Sequence, residues 1–81
     1  MLMFEINRAD ERVEIHADRD GLRALIASVE AVLAEAADPA SMKPAHTHLM
    51  TLAWAGRELD DEPQGGGELV NHVKIYCWDD Q

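Results

Sequence analysis

His46–Trp54, HTHLMTLAW, decides the fold, because no other part of the chain reads as so sustained an apolar strand. In an extended chain residues two apart share a face, so His46 and His48 point the same way and open two alternating sets. The set His48, Met50, Leu52, Trp54 holds the larger side chains and is expected beneath a covering helix, leaving Thr47, Leu49, Thr51 and Ala53 on the other face. Such a strand needs a helix to cover it and a strand to pair with it. Both can be read from its flanks.

On the N-terminal side, Leu22, Leu25, Ile26, Val29, Val32, Leu33 and Ala36 recur at the i, i+3, i+4, i+7 spacing of one buried helical stripe. Asp18 or Asp20 can cap this helix, since a short side-chain oxygen accepts unpaired N–H groups and its charge suits the positive end of the dipole. The helix is expected to end near Ala37, before Asp38-Pro39, and two prolines then lead the chain to His46. Before the helix, Leu2, Phe4 and Ile6 alternate, as do Val13 and Ile15 after the polar break Arg8-Ala9-Asp10-Glu11, which reads as a hairpin.

On the C-terminal side, Arg57 to Gln64 followed by Gly65-Gly66-Gly67 forms an acidic loop. Glu68 to Trp78 then supplies a closing strand, with Leu69, Asn71, Val73, Ile75 and Cys77 on the core face and Val70, His72, Lys74, Tyr76 and Trp78 on the other. Together these give an α+β domain over residues 1–81, ββαββ, with a four-stranded, mainly antiparallel sheet and one helix packed on one face. The uncovered face would carry Arg12, Glu14, His16, Leu49, Thr51, Val70, His72, Tyr76 and Trp78. That much aromatic and aliphatic area makes it a candidate surface for a partner or for a homodimer.

Sixteen acidic residues against seven basic ones give a net charge of −9, which disfavours nucleic acid and anionic membranes as partners and favours a basic one. A single cysteine, Cys77, excludes an internal disulfide and any zinc site needing two thiolates. The start MLMFEINRAD lacks the basic and apolar regions of a secretory signal, and there is no long apolar run, so the cytoplasm is the default location.

His46 and His48 on one strand could present two imidazoles to a metal, with Asp60 or Asp61 near in sequence, but parity places His72 on the opposite face from His48. Ser28, Ser41 and Cys77 lack the setting of a nucleophile, and the paired carboxylates lie in solvated runs where nothing separates their pKa values. The glycine triplet lacks the lysine of a phosphate loop. Neither an enzyme nor a cofactor is expected. The alternative is a small dimeric domain holding a metal or ligand at His46 and His48.

After the capped helix DRDGLRALIASVEAVLAEA, the segments HTHLMTLAWAGREL and GGGELVNHVKIYCWDD resemble the small immunity proteins of bacterial polymorphic toxin systems. The H-x-H-L strand, the G-x-E-L step at Gly56 to Leu59 and the final strand carry the likeness, from Val13 to Trp78, to the family called immunity protein thirty-two. The resemblance implies a cytosolic protein that binds and neutralises a cognate toxin without chemistry of its own. On that reading the contact residues are Glu58, Asp60, Asp61 and Glu62 in the acidic loop, which would steer a basic toxin, and Leu49, His72, Tyr76 and Trp78 on the open face, which would anchor it.

Overall fold

The computed structural model describes residues 1–78. Its elements are β1 (Leu2–Asn7), β2 (Arg12–Ala17), α1 (Arg19–Ala37), β3 (Ala45–Met50), a 3-10 turn (Leu52–Trp54), β4 (Glu68–Val70) and β5 (His72–Cys77). The class is α+β with one helix and antiparallel pairing, as the periodicities predict, but the strands form two sheets instead of one of four strands. One sheet has the order β2-β1-β4 and the other pairs β3 with β5.

The division falls at Asn71. Its backbone carbonyl accepts the Thr51 N–H at 3.0 Å, and its side-chain oxygen accepts the Thr51 hydroxyl at 2.6 Å. This clamp takes Asn71 out of the strand, so the chain leaves its pairing with β1 and joins β3. Val70 lies opposite Phe4 and Val73 opposite Leu49, and both pack on the core although they are three residues apart. The alternation therefore slips by one residue at the break. Leu69, expected inside, lies opposite Glu5 on the outer face, whereas Val70, expected outside, faces the core.

Leu2, Phe4, Leu49 and Leu59 form the buried centre, with Ala17, Leu25, Val70, Val73 and Ile75 packed around them. Each large aliphatic side chain taken out of water here stabilises the fold by about 1.5–3 kcal/mol. The parity expected for β3 is thus reversed. Leu49, only 2% exposed, and the fully buried Thr51 point inward, while His48 is turned to solvent. The strand also stops at Met50 instead of running to Trp54, because β5 begins opposite Met50 and nothing pairs with the chain beyond Thr51.

Beyond Thr51 the chain makes a tight return. The N–H groups of Trp54 and Gly56 both donate to the Thr51 carbonyl, and Leu59 N–H donates to the Met50 carbonyl. Ala55 takes a left-handed conformation at φ 68°, and a Cβ on Gly56 would lie 2.5 Å from the Met50 carbonyl oxygen. The turn leaves Leu52 and Trp54 exposed, against the expectation that they hold the helix, and sends Leu59 into the core in their place.

Helix α1 starts as predicted, with the Asp18 carboxylate accepting the Gly21 N–H at 2.8 Å. Its last turn carries no basic residue, but Lys43 reaches back from the following loop to the carbonyls of Glu35, Ala36 and Asp38 at 3.2, 2.7 and 3.0 Å. That ammonium satisfies carbonyls the helix cannot pair itself and opposes the negative end of its dipole. Lys43→Met keeps the stem and removes the charge, and a denaturant melt of this variant should show a loss of roughly 0.5–1 kcal/mol.

Candidate functional site

The register of β3 and β5 places His46 opposite Tyr76, His48 opposite Lys74 and Met50 opposite His72. With Val73 and Ile75 turned to the core, these side chains project together from the outer face. Their rings form a continuous strip. The Trp78 and Tyr76 centroids are 5.7 Å apart in a stacked pair, Tyr76 lies 5.3 Å from His46, and His46 meets His48 edge-on at 5.3 Å. His48 stacks on His72 at 5.1 Å, and Trp54, carried there by the 3-10 turn, lies 5.7 Å beyond His72. The Lys74 ammonium sits 5.0 Å from the Tyr76 centroid. Trp54, Tyr76 and Trp78 are exposed, so the strip offers ring faces to solvent.

His48 and His72, assigned by parity to opposite faces, are in contact: His48 Nδ1 and His72 Nε2 are 2.9 Å apart. The reversed parity of β3 brings them together, because it turns His48 onto the outer face, where alternation had already put His72. Partial desolvation, followed by Lys74 and the neighbouring imidazoles, holds the His48 pKa below the usual histidine range. The lowered pKa favours the neutral imidazole of His48 at pH 7, beside the Lys74 ammonium. His46 turns its Nδ1 to the Pro44 carbonyl at 3.0 Å and meets His48 through an edge-on ring contact.

Of the acidic loop residues, two are committed to the fold. Glu58 accepts the N–H groups of Met50 and Arg57 at 3.0 and 3.3 Å, which lowers its pKa, the Met50 bond having the larger effect. Asp60 accepts the Leu2 N–H at 2.8 Å through its carboxylate, while its own N–H donates to the Leu2 carbonyl at 2.7 Å. Asp61 and Glu62 are exposed. An open cleft of about 470 Å³ lies between Leu52, Gly56, Arg57, Leu59, Asp60 and Asp61. Leu49, predicted as a contact, is buried and lies behind the face, while His72, Tyr76 and Trp78 lie on it.

Part of the outer face of β1 and β2 is covered by the loop itself. Glu5, 1% exposed in the middle of β1, accepts the N–H groups of Gln64 and Gly65 with one carboxylate oxygen and that of Gly67 with the other. Successive backbone donors curling around an anion form a nest, which needs a chain without side chains in the way. A Cβ on Gly65 would lie 2.7 Å from a Glu14 oxygen, and one on Gly67 would lie 2.9 Å from the Ile6 carbonyl oxygen. The triplet thus straps the loop across β1 and β2. The face expected to be open from Arg12 to Trp78 is partly covered by this strap at Glu5, Glu14 and His16, and is open along β3 and β5. Donor atoms of Glu5, Glu14 and His16 lie within 4.8 Å of one another, but both oxygens of Glu5 already serve the strap.

Alternation groups Lys74 with His72, Tyr76 and Trp78, but it does not reveal His46 and Trp54 as members of the strip, or Glu5 as an anchor. Fold and site together define a small acidic α+β protein whose distinctive surface is an exposed strip of stacked rings.

The chain belongs to the immunity protein 32 family, whose model matches residues 12–73 of the 81. The matched segment contains the H-x-H-L strand, the Gly56–Leu59 return and the glycine strap, while Tyr76 and Trp78 lie beyond it. No curated protein and no solved structure matches the chain. Among the described residues, no helix is long and apolar enough to cross a membrane.

Proposed function

We propose that this protein is the cytoplasmic inhibitor of a cognate toxin domain, which it binds and occludes through the outer face of β3 and β5 without chemistry of its own. Membership of an immunity protein family supports a toxin as the partner. The observation that carries the choice of surface is the ring strip from Trp54 to Trp78, since exposed aromatic rings give large contact area at low entropic cost and are enriched among the residues that dominate interfaces. The net charge of −9 favours a basic toxin, and the exposed carboxylates of Asp61 and Glu62 are placed to steer it.

Co-expression with the toxin domain encoded beside this gene tests the proposal. Cells should survive, and the purified pair should form a stable complex. Reversing Asp61 and Glu62 to lysine should slow association about tenfold at low salt and much less at high salt, because exposed charges act mainly on the encounter rate. Continued killing when both proteins are folded and present would overturn the proposal.

A further inference from the structure

Helix α1 buries less of its apolar surface than its sequence predicts. Gly21 and Val32 are buried and Leu25, Ser28 and Ala36 are half-buried, which defines the line that rests on the sheets. Leu22, Ile26, Val29 and Leu33, expected in the same stripe, are 48%, 55%, 39% and 57% exposed. At 100° per residue they lie about a quarter-turn around the helix from the buried line. The helix therefore has a second apolar edge that the rest of the chain leaves in water.

The spacing of that edge is specific. Leu22, Ile26, Val29 and Leu33 follow steps of four, three and four, which is the seam of a two-helix coiled coil. Laid antiparallel against itself about a point between Ala27 and Ser28, the seam is self-complementary: Leu22 meets the second copy's Leu33, and Ile26 meets the second copy's Val29. A twofold dimer requires such a self-matching patch. The exposed flank of the seam carries Arg23 and Glu30, both solvent-facing. In the antiparallel arrangement Arg23 falls beside the second copy's Glu30, and symmetry repeats the pair. A parallel arrangement would not bring these two together, so charge complementarity selects the antiparallel one. Arg23 already bonds Asp20 on its own helix at 3.2 Å, an exposed contact that a guanidinium can share.

We infer that Leu22, Ile26, Val29 and Leu33 form the seam of a homodimer in which the α1 helices of two copies pack antiparallel, with Arg23 of each beside Glu30 of the other. This surface is separate from the ring strip, so dimerisation leaves the proposed toxin face free, and its test does not depend on the toxin. It also replaces the expectation that a homodimer would form through the open sheet face.

The full chain at about 100 µM, measured by sedimentation or light scattering, should have twice the mass of one chain. Ile26→Glu should be monomeric with an unchanged far-ultraviolet circular dichroism spectrum, since this side chain contributes little to the monomer core. Arg23→Glu should weaken association about fivefold or more by placing like charges together, and the double variant Arg23→Glu, Glu30→Arg should restore it. The inference is overturned if the chain is monomeric at that concentration, if Ile26→Glu leaves a dimer intact, or if the charge swap fails to rescue. Loss of dimer upon substitution in the ring strip, with the helix variants unaffected, would also overturn it by placing the interface on the other surface.

Discussion

Glu5→Gln should lower the thermal midpoint by roughly 10 °C or more, although it changes one atom. In the folded protein one carboxylate oxygen accepts two loop N–H groups and the other accepts a third, from Gly67. A glutamine can reproduce the first oxygen, but its amide nitrogen is a donor and would face another donor at a buried position. The same contacts set the pH response. The Gly65 N–H does most to hold the Glu5 carboxyl below the usual glutamate range; burial opposes it, and Gly67, Gln64 and the nearby His16 add to it. Because the folded pKa lies below the unfolded one, the strap's contribution is complete above the ordinary carboxylate range and is lost as pH falls through the depressed folded value. Wild-type protein should therefore lose stability on acidification more steeply than Glu5→Gln, and the two melting curves should approach one another at low pH. Gly67→Ala should mimic the loss at neutral pH, because its Cβ would meet the Ile6 backbone, whereas Gly66→Ala, which meets nothing within 4 Å but has φ +79°, should cost less. A Glu5→Gln variant with unchanged melting at pH 7 would show that the strap does not hold the loop.

The elements legible in the sequence are those fixed by local pattern. The first hairpin, the capped start of α1 and the α+β class follow from alternation, helical spacing and the short acceptor at Asp18, and the structure shows each of them. What alternation could not supply is phase. A strand pattern names two faces without saying which is inside, and for β3 the choice was decided by Leu49, Leu59 and Thr51, not by the bulkier residues beyond. The Asn71 break is a tertiary event, since Asn71 leaves the ladder only because Thr51, twenty residues earlier in the chain, takes both of its oxygens. The slip displaces Leu69 and Val70, before the break, while the residues after it keep the faces that alternation gave them, and His72 rests on His48 because the reversed phase of β3 turns His48 outward. The helix shows the converse limit. Apolar spacing predicts a face that excludes water but does not say whether this chain or another one covers it.

The G-x-E-L step illustrates how a short motif can be structural in a protein whose proposed contact surface lies elsewhere. Gly56 gives the return its close approach, Glu58 caps the exposed end of β3, and Leu59 enters the core, so the motif builds the turn that delivers Trp54 to the ring strip. Two of the acidic loop's carboxylates are consumed in this way, and the recognition role proposed for the loop passes to Asp61 and Glu62.

Truncating the strip should cost binding without costing the fold. Tyr76→Ala and Trp78→Ala remove side chains that are 41% and 69% exposed, and each should weaken the toxin complex about 10- to 30-fold, mainly through faster dissociation. Because the two rings stack on one another, the double variant should lose less than the product of the single effects. Leu49→Ala separates contact from scaffold: buried behind the same strand, it should destabilise the protein by about 2–5 kcal/mol, while the folded fraction keeps its affinity. Ile15→Ser, half exposed on β2 in the other sheet, should change neither property greatly. Acidification gives a further handle on the same surface. The pKa of His48 is depressed, so its neutral imidazole is favoured at pH 7 and gains charge only below the usual histidine range, beside Lys74, His72 and His46. The strip then gains positive charge beside Lys74, toward a basic toxin, and affinity should fall as pH drops through the depressed value, with His48→Gln blunting the effect. Tight binding that survives the double ring truncation in a folded protein would move the interface off this face.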